Sequence, residues 1–156
     1  MKRQQGCLRG KGLIEVKSEI IKKTLPNGLV VIHLKNKKNQ LFLSLGVKVG
    51  TYDESMELSG ISHFLEHMLW EGTTTKSQEE LKKEIKKING DYNACTGAEE
   101  TTYFIKASKK HFEKALSIIS EVVQDPLLGD AAVEKEKKII LNEANQYGDN
   151  IDWKTS

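Results

Sequence analysis

Gly60-Ile61-Ser62-His63-Phe64-Leu65-Glu66-His67-Met68-Leu69-Trp70 is the stretch that decides how this chain is read. The spacing predicts a short helix from Gly60 to about Trp70. On a helix each residue turns by about 100°, so with His63 at zero Glu66 falls near 300° and His67 near 40°. The three polar side chains therefore share one narrow face, and Phe64, Leu65, Met68 and Leu69 fill the remainder, apolar enough to be buried. Two imidazoles and a carboxylate on a buried helix need a partner, because unpaired polar groups are costly away from water. Two histidines at i and i+4 can aim nitrogen lone pairs at one zinc ion about 2.0–2.1 Å away. Glu66, one residue out of step, would face a metal-bound water rather than ligate. The alternative is a pair of core histidines satisfied by Glu66 as their hydrogen-bond partner.

A third ligand would separate these readings, and the last helical segment offers carboxylates for it. Glu136, Ile139, Ile140, Glu143 and Tyr147 follow i, i+3, i+4, i+7, i+11 spacing and lie on one stripe, whereas Glu134 falls off it and is expected to be solvated. A carboxylate on a core-facing stripe calls for a cation or several donors. That cation is either a lysine or arginine or, beside H-x-x-E-H, a metal. Two imidazoles and one carboxylate leave a fourth zinc position open, which is a catalytic arrangement. A closed structural site would want four protein ligands, often with cysteine, and Cys95 is the one nearby candidate.

Around these two segments the chain reads as α+β, a mostly antiparallel sheet packed against helices. Residues 1–12 read as a basic, disordered arm, and residues 13–156 as one zinc-binding catalytic domain. Leu25-Pro26-Asn27-Gly28 is strong turn chemistry between strands over Glu19–Leu34. Leu41–Val49 alternates as a half-buried strand does. Ser77-Gln78-Glu79-Glu80 fits a capping box, Leu81, Ile85 and Ile88 supply the apolar face that follows, and Asn89-Gly90 the stop. Thr101–Ala107 reads as a strand. Phe112–Val123 reads as an amphipathic helix ended by Asp125-Pro126, and Asp130 as the cap of a helix to about Tyr147. His33 and His111 are expected at the surface, and Trp70 is expected to pack against the metal helix. A sheet of so few strands would be poorly covered, so the domain is expected to run past Ser156.

Composition sets limits on function. The chain has 156 residues with 24 basic and 22 acidic side chains, a net charge of +2. Lysines interleaved with glutamates make no case for nucleic acid or a membrane surface. No apolar run approaches the ~18–20 residues that span a bilayer, and the basic start lacks an apolar signal core. Cys7 and Cys95 are too few for a disulfide framework. The expected setting is cytoplasmic.

Gly60–Leu69 followed by Gly72-Thr73 resembles the pitrilysin/insulinase family of inverzincin metallopeptidases, which includes the mitochondrial processing peptidases, and Pro26-Asn27-Gly28-Leu29 and Gly50-Thr51-Tyr52-Asp53-Glu54 resemble that family's opening strands. The match covers about Ile21 to Asn150. The resemblance implies the N-terminal catalytic domain of a half-clamshell and a zinc-dependent endopeptidase acting on extended or unfolded peptides. It implies one zinc ion per chain held by His63, His67 and a distal glutamate matching Glu143, 76 positions after His67. Glu66 is then the base that activates the zinc-bound water, and Glu136 supports the site from behind the ligands. Asn93-Ala94-Cys95-Thr96-Gly97 matches the family's edge strand beside the metal, with Asn93 and Ala94 expected to pair with substrate backbone and Cys95 to shape a pocket. An exposed strand edge has the spare N–H and C=O groups for that pairing. The resemblance also implies a second, homologous half or subunit that closes over the peptide. The alternative is a poorly active piece or subunit that binds zinc and peptide but needs that partner for turnover.

Overall fold

The computed structural model describes residues 20–149, with side chains as far as Glu143. The arm expected over residues 1–12 lies outside the described residues. Two compact units divide at Asn39 and Gln40. The first contains a hairpin of β1 (Ile20–Thr24) and β2 (Val30–Leu34), paired antiparallel with Thr24 opposite Val30. Its turn is made as the sequence demands. Gly28 takes φ +86°, and the Asn27 side chain accepts from the Leu29 N–H at 3.2 Å.

The second unit holds β3 (Gln40–Val47), α1 (Ile61–Leu69), α2 (Gln78–Lys87), β4 (Asp91–Thr96), β5 (Thr101–Ser108), α3 (Phe112–Gln124) and α4 (Asp130–Asp149). Its sheet is antiparallel in the order β3-β5-β4, so β5 is central and β4 is an end strand. The alternation along β5 sorts its side chains. Tyr103, Ile105 and Ala107 are buried against the helices, and Lys106 is exposed on the other face. Leu81, Ile85 and Ile88 from the α2 region and Ala115, Ile118, Ile119 and Val122 from α3 complete the core with Leu69 and Trp70. This is the expected α+β arrangement, with the helices serving one face of the sheet.

Local signals hold closely. Ser77 caps α2 and Glu80 returns the hydrogen bond to the Ser77 N–H at 2.8 Å. Asn89, not Gly90, takes the left-handed conformation that ends α2, with φ +47°. Its N–H reaches the Lys86 carbonyl and the Gly90 N–H reaches the Ile85 carbonyl, both at 2.9 Å. Those two bonds satisfy the last turn. Asp130 occupies the first helical position of α4 rather than preceding it, and Val133 N–H closes onto the Gly129 carbonyl at 3.0 Å.

Three expectations need correction. Leu65 is 38% exposed and Phe64 only half-buried, so α1 is buried along part of its apolar surface only, where Met68 and Leu69 turn inward. His111 is half-buried, because it closes the single 3-10 turn that leads β5 into α3. Thr51–Asp53 is a 3-10 turn rather than a strand. Its first residues are pinned to the β4–β5 loop through Thr51 N–H to the Gly97 carbonyl at 3.0 Å and Tyr52 N–H to the Ala98 carbonyl at 2.9 Å. Gly50 permits that approach, since a Cβ there would lie 2.5 Å from both carbonyl oxygens.

Between α1 and α2 the chain is held by Glu121 of α3. One of its carboxylate oxygens accepts from the Thr73 hydroxyl at 2.7 Å and the Thr75 hydroxyl at 2.6 Å, and the other pairs with Lys76. Burial alone would raise this carboxyl, but the Lys76 ammonium and the two hydroxyls bring it down to about 2. A depressed carboxylate stabilises the fold above its unfolded value of about 4.5 and loses that contribution as pH falls toward 2. Glu121→Gln is expected to lower unfolding free energy by about 1–3 kcal/mol at pH 7. In urea titrations the gap between parent and variant should narrow below about pH 4.5; an unchanged gap at pH 3 would contradict this account of Glu121.

Candidate metal centre

Helix α1 is set by what caps it. Gly60, at φ +90°, accepts the Phe64 N–H at 2.9 Å, and the side chain of Glu54 takes the N-terminal amides, from Gly60 at 2.7 Å and Ser62 at 2.9 Å. These are N–H groups a helix start leaves without partners, and a carboxylate suits the positive end of the helix dipole. Burial acts to raise the Glu54 carboxyl, but the Gly60 and Ser62 amides outweigh it and hold it below the usual range. The cap lies outside the H-x-x-E-H motif and had no signature in the sequence beyond an acidic residue several positions upstream.

From this helix His63 and His67 present their rings edge to face, with centroids 4.8 Å apart and an interplanar angle of 89°. Helix α4 crosses α1 and brings Glu143 to them. Its Oε2 lies 3.8 Å from His63 Nε2 and 3.7 Å from His67 Nε2. The three donor atoms lie within 4.8 Å of one another. Glu143 Oε2 is buried and has no hydrogen-bond partner among the described residues.

These distances separate the open readings. At 3.7–3.8 Å the oxygen is too far from either imidazole for a hydrogen bond. A tetrahedral ion bound at about 2.0–2.1 Å holds its ligands about 3.4 Å apart. The two spacings from Glu143 Oε2 come within a small side-chain adjustment of that value. The oxygen left without a donor is therefore one that a cation between the three groups would satisfy, and two imidazoles with one carboxylate suit zinc. Glu66 is not the histidines' partner either, since its Oε2 accepts from the Thr96 hydroxyl at 2.6 Å.

His67 is oriented from behind. Its Nδ1 meets Glu136 Oε2 at 2.9 Å, and Glu136 is 2% exposed. With the Nδ1 proton given to that carboxylate, Nε2 keeps a lone pair toward Glu143. Glu136 is itself part of a longer chain of contacts. Its Oε1 is 3.5 Å from Lys135 Nζ, Lys135 also pairs with Glu71 Oε2, and Gln78 Nε2 donates to Glu71 Oε1. Burial pushes the Glu136 carboxyl up, yet the His67 contact and the Lys135 charge hold it below its ordinary value. Lys135 is held above its own ordinary value in return, with burial opposing the pull of Glu71 and Glu136.

The end strand β4 passes this site. Tyr92, Ala94 and Thr96 lie on one face and Asn93 and Cys95 on the other, and Asn93, Ala94 and Cys95 are all half-buried. The Thr96 hydroxyl contacts a motif side chain, donating to Glu66 Oε2. The expected strand segment included Thr96, but the residues given a role on it stopped at Cys95, although alternation from Ala94 points to Thr96. Tyr103, opposite Ala94 on β5, is pushed up to about 12 by burial and by the nearby Glu66 carboxylate. Trp70 is buried in the core with its ring 4.4 Å from that of Tyr92. Glu134 is solvated, also as expected.

Residues 29–154 match the family model described as insulinase, peptidase family M16. The chain is 36% identical over 129 residues to an uncharacterised zinc protease of Rickettsia felis, covering 82% of this chain and 31% of that protein. It is 34% identical over 127 residues to the mitochondrial-processing peptidase subunit beta of Rattus norvegicus, covering 81% of this chain and 26% of that one. The fold matches the crystal structure of a protease from Helicobacter pylori with a TM-score of 0.76 at 31% identity, over 81% of this chain and 30% of that chain. The chain thus spans about a third or less of the length of these relatives. No helix among the described residues is long and apolar enough to cross a membrane.

A ligand that binds only the native state raises stability by about 2.7 kcal/mol at 100 times its Kd. Zinc at that excess should raise the unfolding midpoint of the chain, and chelator should reverse it. Glu143→Ala should abolish most of the rise. An equal rise in that variant would remove Glu143 from the site.

Proposed function

The chain belongs to the insulinase family, peptidase family M16, and on that premise we propose that it is a zinc-dependent metalloendopeptidase acting on extended or unfolded peptides. His63, His67 and Glu143 would hold one zinc ion, and Glu66 would serve as general base. The observation that carries this reading is the buried Glu143 Oε2, without a hydrogen-bond donor among the described residues and facing both Nε2 atoms.

When bound, zinc supplies a Lewis acid that polarises a carbonyl oxygen and makes water more acidic. The protein's own part is proton transfer and positioning. Glu66 shares the polar face of α1 with both histidines but makes its hydrogen bond to Thr96 rather than to either ring. One carboxylate oxygen is thereby fixed by Thr96, and the other is left to take a proton from water and return it to the leaving amine. Glu136, through its contact with His67 Nδ1, keeps that ring in the tautomer a ligand needs.

Substrate would lie along β4. An end strand can add one more strand of extended peptide through backbone hydrogen bonds, which read shape more than sequence. Asn93 and Ala94 would pair with peptide backbone on either side of the cleaved bond, and Cys95 would line the adjoining pocket. The strand carrying them also carries Thr96, which supports placing the cleaved bond near Glu66.

A second homologous half or subunit would complete the chamber. The coverage of relatives supports this, as does a relative named as a subunit. The same observation favours a second reading, in which the 156 residues bind zinc and peptide and need that partner for turnover.

Glu66→Gln should leave zinc affinity within a few-fold of the parent while lowering peptide cleavage by about 100- to 10,000-fold. Cleavage near the parent rate would show that Glu66 is not the base. Size-exclusion with light scattering should find the chain associated, or else cutting peptide slowly. Fast turnover by a clean monomer would refute the need for a partner.

A further inference from the structure

Lys135 is half-exposed on α4, one residue before Glu136, and is not one of the metal-facing residues. Its ammonium nevertheless lies between two buried carboxylates. It pairs with Glu71 Oε2 and stands 3.5 Å from Glu136 Oε1, and the side chains of Glu71 and Glu136 are 6% and 3% exposed. Two carboxylates that meet one ammonium stand close enough to repel, and the repulsion is strong where water is scarce. Glu136 divides its oxygens, with Oε1 toward Lys135 and Oε2 on His67 Nδ1 at 2.9 Å. Glu71 divides its own between Lys135 and Gln78, in the first turn of α2.

We propose that Lys135 is a positioning residue for the metal centre: by bridging Glu71 and Glu136 it holds Glu136 against His67, and so sets how tightly His63, His67 and Glu143 bind zinc. This rests on the metal-site reading above. Without the ammonium, Glu71 would drive the Glu136 carboxylate away from its present place, and His67 would lose the contact that orients it. Glu71 is then the residue that makes Lys135 necessary, and removing both should relieve the strain that removing Lys135 alone creates.

The test is zinc affinity, measured on the whole chain by competition with a chromophoric chelator at pH 7.5, with no peptide present. Lys135→Met should weaken binding about tenfold or more, the range found when groups behind metal ligands are changed. Lys135→Arg should stay within about threefold of the parent, because a guanidinium can bridge the same carboxylates. The double variant Lys135→Met with Glu71→Gln should regain most of the lost affinity, a recovery that a purely structural role for Lys135 would not give. Parent-like binding by Lys135→Met, or a double variant as weak as Lys135→Met, would overturn the role while leaving the metal site standing. His67→Ala serves as the control for the site itself. Zinc binding that His67→Ala does not reduce would overturn the metal-site reading and this role together.

Discussion

A carboxylate oxygen enclosed by protein, with two imidazole nitrogens beyond hydrogen-bond reach and no donor among the described residues, is a demand for positive charge. Glu143 makes that demand, and much of the second unit serves to bring it to His63 and His67. Its helix must cross α1 at a fixed place, and α1 must hold its own register. The first condition is served by Glu136, which contacts His67 from the same helix two turns earlier. The second is served by Glu54, which takes the amides of Gly60 and Ser62 and so fixes where α1 begins.

The surroundings of the centre are built from charges that offset one another. Glu136 and Glu71 are both buried, and each contacts Lys135. Farther out, Glu121 gathers Thr73, Thr75 and Lys76, while Glu84 meets Lys76 at 3.7 Å and Lys114 at 3.0 Å. Ion pairs with such partly exposed lysines add little net stability, but carboxylates as enclosed as those of Glu71 and Glu136 are costly to leave uncompensated. Their effect here is geometric. They tie the segment leaving α1 to α2, α3 and α4, the elements that α1 must stay aligned with.

How much of this was legible differs from one element to the next. The H-x-x-E-H face, the capping box at Ser77 and the stripe through Glu136 and Glu143 are local patterns, and each stands where its spacing placed it. β4 was harder. Asp91-Tyr92-Asn93-Ala94-Cys95-Thr96 has few of the β-branched and apolar residues that mark a strand, and only the family resemblance pointed to it. It forms a strand because β5 supplies hydrogen bonds along its length. The exposure of Leu65 was also illegible, since a helical wheel shows which residues share a face but not how much of that face a neighbour covers.

The amino-acid order alone determined which side chains could share a helical face and which chemistry they could perform, because a helix converts spacing into angle by a fixed rule. It therefore supplied the two imidazoles, the carboxylate of Glu66 beside them and the pair of carboxylates seven residues apart. Whether those sets meet depends on contacts between residues tens of positions apart, for which spacing contains no rule. Only the tertiary structure decided that Thr96 grips Glu66, that Glu54 caps α1 and that Lys135 stands between Glu71 and Glu136. Those pairings come from the packing of α1 against β4 and α4, where an unsatisfied buried polar group would otherwise cost the fold its stability.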